Sequence, residues 1–379
     1  MSDRSLPASD APGPATSRWR RALAALRRTV GLPTEGIGYL LHTGRSYRHF
    51  LRPVLNGAFG DQLAARGDRR AIAMSFRRLG HDVAVADLDL DREGPRRTVV
   101  FVHGLMGDET IWQEGAADLP RYGPRLEREA GLRCLYLRYN TGRHISENGR
   151  DFSRLLTALV QTWPAAVTEL VLIGHSMGGL VIRSAGYYAH ATHAEALPET
   201  PPATSTENPG GAVPSSAAPW VARLRSVFLL GVPNEGSFLE QNSFLTALLL
   251  RRLNLRPTRF VADTLDRRSN GIRDLRHARL VDEDWQNPHA DDLLPPRTPV
   301  PPLPGVQYHV LAASLLKNAG SVLARYFGDG LVGGGSATGD IFGPATAFQG
   351  QVRVRMFPRQ HHGTLLAHPE VYAYLREHL

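Results

Sequence analysis

The chain has 379 residues, of which 42% are hydrophobic and 21% are charged, proportions close to those of an average globular protein. This composition excludes a wholly disordered chain, a collagen and a coiled coil. The net charge is +8, but the basic residues, all arginines except Lys317, are spread along the chain rather than clustered, which argues against a nucleic-acid partner.

The first 30 residues predict a leader outside the folded domain. Residues 1–17 are rich in Ser, Ala and Pro and predict disorder, whereas Arg18–Val30 predicts a short basic amphipathic helix, compatible with peripheral contact with a membrane. No apolar run reaches the roughly 18–20 residues of a membrane-spanning helix, and we find no secretory signal. Because Cys134 is the single cysteine, no intrachain disulfide can form. These features predict a cytoplasmic protein.

From residue 31 to residue 379 the pattern predicts one α/β domain. After a helical stretch, alternating apolar residues on either side of Gly80–Asp82 predict an antiparallel hairpin at the edge of a sheet. Short apolar strands then alternate with amphipathic helices, which predicts a mostly parallel sheet covered by helices on both faces. The predicted strands are Thr98–Val102, Cys134–Tyr139, Glu169–Ile173, Ser226–Leu230, Tyr308–Ala312 and Val352–Phe357, and the predicted helices are Asn148–Trp163, Met177–His190 and Pro369–Leu379.

Two segments interrupt this alternation. Residues 191–219 are of low complexity and rich in proline, and they predict a disordered insertion rather than a domain boundary. Residues 235–304 lie between two strands and predict an inserted helical cap or lid. The cap begins with an apolar helical stretch that offers Phe244, Leu248 and Leu249 as candidate substrate-binding residues. The alternative is that this helix packs onto the body of the domain.

A nucleophile is predicted at Ser176, in a G-x-S-x-G pattern that runs from Gly174 to Gly178. The pattern has the context it requires, with an apolar strand before it and a helix after it. Gly174 and Gly178 supply the space that so tight a turn needs, and His175 completes the motif. The turn places the serine oxygen at the N-terminus of the helix, where backbone amides favour a developing negative charge.

A serine hydroxyl needs a base, and in this arrangement the order along the chain is serine, acid, histidine. We predict Asp329 as the acid, because glycines flank it in a tight loop, with Asp340 as the alternative. The many acids of residues 235–304, among them Asp274 and Asp284, look like solvated surface groups.

Two histidines, His361 and His362, lie between the last strand and the last helix, where such a base belongs, and His362 is the predicted base because it is nearer the helix and is followed by Gly363. His361 is the alternative. An oxyanion hole is predicted from two backbone N–H groups, those of Leu105 and Met177. Leu105 belongs to the loop that follows the Thr98–Val102 strand, in which Gly104 allows the turn and His103 positions the loop.

With these motifs the chain resembles serine esterases and lipases of the α/β-hydrolase fold, in particular bacterial lipase-like proteins related to GPI inositol-deacylases. The likeness lies in the glycine-rich loop at His103, the elbow at Ser176, the acid loop at Asp329 and the segment from His362 to Val371. Gly271–Leu275 and Asp284–Trp285 also resemble the family, without a chemical role. Residues 231–236 read Gly-Val-Pro-Asn-Glu-Gly where the family usually has Gly-Thr-Pro-His-x-Gly, and Gly333 replaces a common proline.

The resemblance implies hydrolysis of a small-molecule or lipid ester through an acyl-enzyme on Ser176, with no metal or organic cofactor. Acyl transfer to another acceptor and thioester hydrolysis would use the same triad. A catalytically silent binding protein of the same fold is an alternative of another class. Such a protein need not keep all three triad residues, whereas this sequence offers a candidate for each of them. The acyl chain length, the headgroup and the oligomeric state are not defined by the sequence.

Overall fold

The computed structural model describes residues 48–115, 121–195, 217–234, 269–290, 292, 295–314, 342, 350–360 and 362–379, without the side chains of 48–51 and 191–195. These residues belong to the unit Tyr47–Leu379. The predicted leader lies outside the described residues, as do most of the predicted insertion at 191–219 and the first half of the predicted cap.

The described strands form one sheet in the order β2-β1-β4-β3-β5-β6-β7-β8. Strands β3 to β8 pair in parallel, whereas β1 pairs antiparallel with both β2 and β4, so the edge hairpin and the mostly parallel sheet are confirmed. The strands are β1 Ser75–Arg78, β2 His81–Val83, β3 Arg96–Val102, β4 Arg133–Arg138, β5 Val167–His175, β6 Leu224–Leu230, β7 Gln307–Ser314 and β8 Val352–Pro358.

Helices cover both faces of the sheet. They are α1 Arg48–Ala65, α2 Thr110–Gln113, α3 Tyr122–Ala130, α4 Ile145–Thr162, α5 Met177–Glu195, α6 Asn270–His277, α7 Asp282–Gln286 and α8 Pro369–His378. Helix α5 therefore continues five residues into the segment predicted to be a disordered insertion. Helix α8 begins at Pro369, whose fixed φ suits the first turn of a helix. None of the described helices is long and apolar enough to cross a membrane.

The central strands are apolar on both faces because each face meets its own core. In β3, Val100 and Val102 join the core that also contains side chains of α4 and α5. The intervening Val99 and Phe101 join a second core, formed with α3 and α8. Successive side chains of a strand point to opposite faces, so a continuous apolar run is what a doubly covered parallel strand requires.

The described part of the predicted cap, from Ser269 onward, packs against the body of the domain. Leu275 and Leu280 are buried in the core that contains α4 and α5. The expectation that the acids here are solvated is wrong for two of them, since Asp274 and Asp284 are buried. The Asp284 carboxylate accepts hydrogen bonds from the backbone N–H groups of Leu280 and Thr298, at 2.8 and 2.7 Å, which replace the water it loses.

Candidate active site

Ser176 occupies the turn between β5 and α5. Its φ of 54° lies in the left-handed region, which costs a residue other than glycine about 1 kcal/mol or more. The turn is held on both sides, because the Ser176 N–H donates to the Leu230 carbonyl at 2.9 Å and the Gly179 N–H donates to the Ser176 carbonyl at 3.0 Å. A strained residue held in this way presents its side chain at the carboxyl edge of the sheet.

The glycines of this turn have no room for a side chain. A Cβ on Gly174 would lie 2.7 Å from the Gly179 nitrogen, and a Cβ on Gly178 would lie 2.4 Å from the Val102 carbonyl oxygen. Both obstacles are backbone atoms, which cannot turn aside as a flexible side chain could. The crowding therefore accounts for glycine at both positions, and it draws the start of α5 against the end of β3.

The loop after β3 lies directly against this turn. A Cβ on Gly104 would be 3.0 Å from the Cβ of Ser176. The Gly107 N–H donates to the Gly104 carbonyl at 3.1 Å and closes a four-residue turn around Leu105 and Met106. Leu105 thus belongs to a loop in contact with the serine, and Met177 follows the serine as the first residue of α5. Its N–H is among the four that a helix start leaves without an intrahelical acceptor.

His103 supports this loop from within the core. The Tyr139 N–H donates to Nε2 of His103 at 3.4 Å, so Nδ1 carries the proton and donates to the Gly104 carbonyl at 2.9 Å. The imidazole also stacks on the Tyr139 ring, with 4.4 Å between centroids. Burial lowers the pKa of His103 from its ordinary value, which favours the neutral ring that this pattern requires.

His362 lies on the connection between β8 and α8 and reaches the same region. Its Nδ1 would be 3.1 Å from a Cβ on Gly231, so the missing side chain at Gly231 makes room for the imidazole. Nε2–H of His175 donates to the His362 carbonyl at 3.2 Å, and the two rings lie 4.6 Å apart. Because Leu230, the neighbour of Gly231, accepts the hydrogen bond from Ser176, the structure brings His362 and the predicted nucleophile to the same strand end.

The other predicted site residues lie outside the described residues. They are the acid Asp329 with its alternative Asp340, the alternative base His361, and the cap residues Phe244, Leu248 and Leu249. For these positions the sequence remains the basis of the assignment.

The turn after β4 also adjoins the site, although no motif in the sequence pointed to it. The Thr141 hydroxyl accepts a hydrogen bond from the Met106 N–H at 3.1 Å. Asn140 holds this turn in place, since its side chain donates to the Gly60 carbonyl at 2.8 Å and accepts from the Gly142 N–H at 3.0 Å. A usable signal was present, because polar residues directly after a parallel strand lie at the edge where ligands of such sheets bind.

Asp274 gives the familial Gly271–Leu275 segment a structural role. Its Oδ2 accepts hydrogen bonds from Nδ1 of His144 and from the Ile145 N–H, both at 2.9 Å, and so fixes the start of α4. Burial raises the pKa of Asp274 above its ordinary value, against the opposing effect of His144. The residue joins α6 to α4 and is not exposed to solvent.

Comparison with known proteins decides the family. A family model described as "Alpha/beta hydrolase family" matches residues 99–373, from β3 into α8. This chain belongs to the alpha/beta hydrolase family. The matched range of this alpha/beta hydrolase includes the loop at His103, the turn at Ser176 and the connection at His362, and it confirms the predicted fold.

Solved structures of similar fold include lipases and esterases. The mature lipase BlEst2 of Bacillus licheniformis is 16% identical, with a TM-score of 0.44. The match covers 80% of this chain and 98% of the lipase chain. The esterase Pf2001 of Pyrococcus furiosus is 13% identical, with a TM-score of 0.40. That match covers 76% of this chain and 81% of the esterase chain. Among curated proteins, no significant match to this alpha/beta hydrolase is found.

Proposed function

We propose that this alpha/beta hydrolase cleaves carboxylic esters through an acyl-enzyme on Ser176. The observation that carries the proposal is the strained left-handed turn at Ser176, against which the Gly104 loop packs directly. A hydroxyl at the start of a helix, with a loop of backbone amides beside it, suits attack on a carbonyl group and stabilisation of the resulting oxyanion.

In this mechanism His362 takes the proton of the Ser176 hydroxyl as its oxygen attacks the ester carbonyl carbon. The N–H groups of Leu105 and Met177 donate to the oxyanion, and Asp329 orients and stabilises the imidazolium. The intermediate collapses, and the leaving alcohol receives the proton from His362. His362 then deprotonates a water molecule, which attacks the acyl-enzyme and releases the carboxylic acid and the free serine.

The substrate class we infer is a small-molecule or lipid ester. The resemblance to bacterial lipase-like proteins related to GPI inositol-deacylases supports a lipid, as does the apolar stretch at Phe244, Leu248 and Leu249. One departure from that family has a local explanation in the structure. Asn234 is buried, and its side-chain oxygen accepts a hydrogen bond from Arg183 at 3.1 Å, so this residue ties the loop after β6 to helix α5.

Removal of the nucleophile tests the proposal. Ser176→Ala is expected to lower kcat on p-nitrophenyl esters by about 10⁴- to 10⁶-fold and to abolish labelling by a fluorophosphonate. The fold should survive, since the change removes one oxygen. Ser75→Ala, on the edge hairpin, is the control and should keep both activity and labelling. Ester hydrolysis by the Ser176 variant at the rate of the parent would refute the assignment.

Two other uses of the same residues are distinguished by their products. An acyltransferase forms a new ester or amide when an alcohol or amine competes with water, and a thioesterase prefers thioesters over oxygen esters of the same acyl chain. A silent binding protein would neither react with the fluorophosphonate nor turn over any ester.

The role of the cap can be tested with a change of two residues. Leu248→Ser together with Leu249→Ser is expected to lower activity on long-chain p-nitrophenyl esters much more than on acetate or butyrate, because an apolar surface would bind the acyl chain. Activity across the chain-length series and the melting temperature are measured. Unfolding, or an equal loss at every chain length, would place these leucines in the core.

A further inference from the structure

The loop that carries Leu105 has an unfavourable backbone at its centre. Gly104–Gly107 is a turn closed by a hydrogen bond between its ends, with a positive φ at Met106 (57°) but not at Leu105. This is the type II pattern, in which the third residue is usually glycine or asparagine. Methionine has a side chain that opposes this conformation, so the surroundings must hold the turn in place.

The Thr141 hydroxyl provides a directional restraint on this turn. It accepts a hydrogen bond from the Met106 N–H at 3.1 Å, and Thr141 is buried. That N–H belongs to the central peptide of the turn, between Leu105 and Met106, whose orientation separates type II from type I. Without the acceptor, the N–H would be buried and unpaired, and rotation of this peptide would relieve the positive φ of Met106.

Thr141 is itself immobilised by two helices. The Gly271 N–H of α6 donates to the Gly142 carbonyl at 3.0 Å, and on the other side Asn140 donates to the Gly60 carbonyl of α1 at 2.8 Å. A Cβ on Gly271 would lie 2.0 Å from the Thr141 carbonyl oxygen and 3.0 Å from Cε of Met177. The turn that bears Thr141 thus contacts the loop of one predicted oxyanion donor and lies close to the side chain of the other.

We propose that Thr141 is a positioning residue for the oxyanion hole. Through the Met106 N–H it fixes the peptide that follows Leu105, and it thereby restrains the backbone next to the Leu105 N–H that we assign to the oxyanion hole. The inference rests on the proposed function, because it assigns Thr141 a part in stabilising the oxyanion that Ser176 would generate.

Two pairs of variants isolate the hydroxyl from the rest of the side chain. In the first pair, the parent and Thr141→Val, the hydroxyl is lost while the shape of the side chain stays nearly constant. In the second pair, Thr141→Ser and Thr141→Ala, both variants lack the methyl group and only the serine has a hydroxyl. The second pair serves if the valine variant fails to fold. Thr157→Val removes a hydroxyl from α4, where Thr157 donates to the Ser153 carbonyl, and is the control.

Loss of the hydroxyl is expected to lower kcat on a p-nitrophenyl ester by about 10- to 100-fold, with KM changed by less than about twofold. The affinity for a trifluoromethyl ketone, which forms a tetrahedral adduct with a serine, should fall by a similar factor. Thr141→Ser should retain most of the parent kcat, and Thr157→Val should match the parent. A crystal structure of Thr141→Val should show that Met106 has left the left-handed region.

Equal kcat within both pairs, or a loss confined to KM, would overturn the role of Thr141. If Thr141→Ser is as impaired as Thr141→Ala while Thr141→Val is normal, the packing of the methyl group matters and the hydroxyl does not position the turn. Failure of the proposed function looks different, because Ser176→Ala would then keep its activity whatever the Thr141 variants do. An inactive Ser176→Ala beside fully active Thr141 variants refutes this inference alone.

Discussion

At the scale of single residues, two of the six non-glycine residues with positive φ in the described part of the chain lie where the chemistry is proposed. Ser176 and Met106, with φ values of 54° and 57°, are both left-handed and lie on adjoining loops. Each is held by a hydrogen bond from its own N–H, to the Leu230 carbonyl and to the Thr141 hydroxyl respectively. Such conformations persist only where the surrounding structure determines them, which is the case for a preorganised site.

The choice between two adjacent histidines is a prediction at this scale. His362→Ala is expected to lower kcat by about 10⁴-fold or more, close to the effect of Ser176→Ala, because the members of a triad act as a unit. His361→Ala should stay within about threefold of the parent. Both variants are assayed on the same p-nitrophenyl ester. If the two effects are reversed, the base is His361.

At the scale of elements, His309 links strand β7 to helix α8. The imidazole stacks on Phe228, with 4.4 Å between ring centroids, and its Nδ1 lies 2.9 Å from the Tyr374 hydroxyl. Burial, with smaller contributions from His378 and Arg353, lowers its pKa to about 4. The folded protein therefore keeps this ring neutral at a pH where an exposed histidine would already be charged.

This lowered pKa predicts an acid-labile contact. Between the ordinary histidine pKa of about 6.5 and the folded value, the unfolded chain binds a proton that the folded chain does not, so stability falls as the pH falls. His309→Gln should remove this dependence, which amounts to up to about 3 kcal/mol between pH 7 and pH 4. Urea unfolding of parent and variant at several pH values measures the difference.

The control for this prediction is His81→Gln on the exposed edge hairpin, which should retain the pH dependence of the parent. If the free energies of unfolding of the parent and of His309→Gln change with pH in parallel, His309 has the same pKa in the folded and the unfolded chain, and the prediction is wrong. The same comparison tests the packing of β7 against α8, because a ring that left the core would regain its ordinary pKa.

At the scale of the whole molecule, a hydrogen bond joins the chain before the proline-rich segment to the chain at its end. The Ala218 N–H donates to the Ala189 carbonyl at 2.8 Å. Trp220 is fully buried, and its Nε1 donates to the Ser153 hydroxyl of α4 at 3.1 Å. The chain is therefore anchored to the domain on both sides of residues 196–216.

Shortening this segment should leave the protein intact. Glu195 lies six residues beyond Ala189 on α5, about 9 Å along a helix, and a Gly/Ser linker of about six residues spans that distance easily. Replacement of residues 196–216 by such a linker is expected to leave the melting temperature and the ester hydrolysis unchanged, since loop closure depends weakly on length. A large drop in either would mean that the segment docks on the domain.

The sequence by itself determined the elements whose residues face a uniform environment. The run Val99–Val102 predicted a doubly buried strand, because a short apolar run rich in β-branched residues suits a parallel strand that is covered on both faces. The turn at Ser176 was equally determined, since the need for space at Gly174 and Gly178 is local and can be read from spacing alone.

Only the tertiary structure decided what depends on residues far apart in the chain. Asp274 and Asp284 stand in a polar stretch typical of a surface, yet they are buried, because backbone N–H groups from distant segments take the place of water. The bond between Thr141 and Met106 joins the ends of neighbouring parallel strands, β4 and β3, across 35 residues of sequence. No periodicity marks such a pair, because strand order and packing alone bring its two partners together.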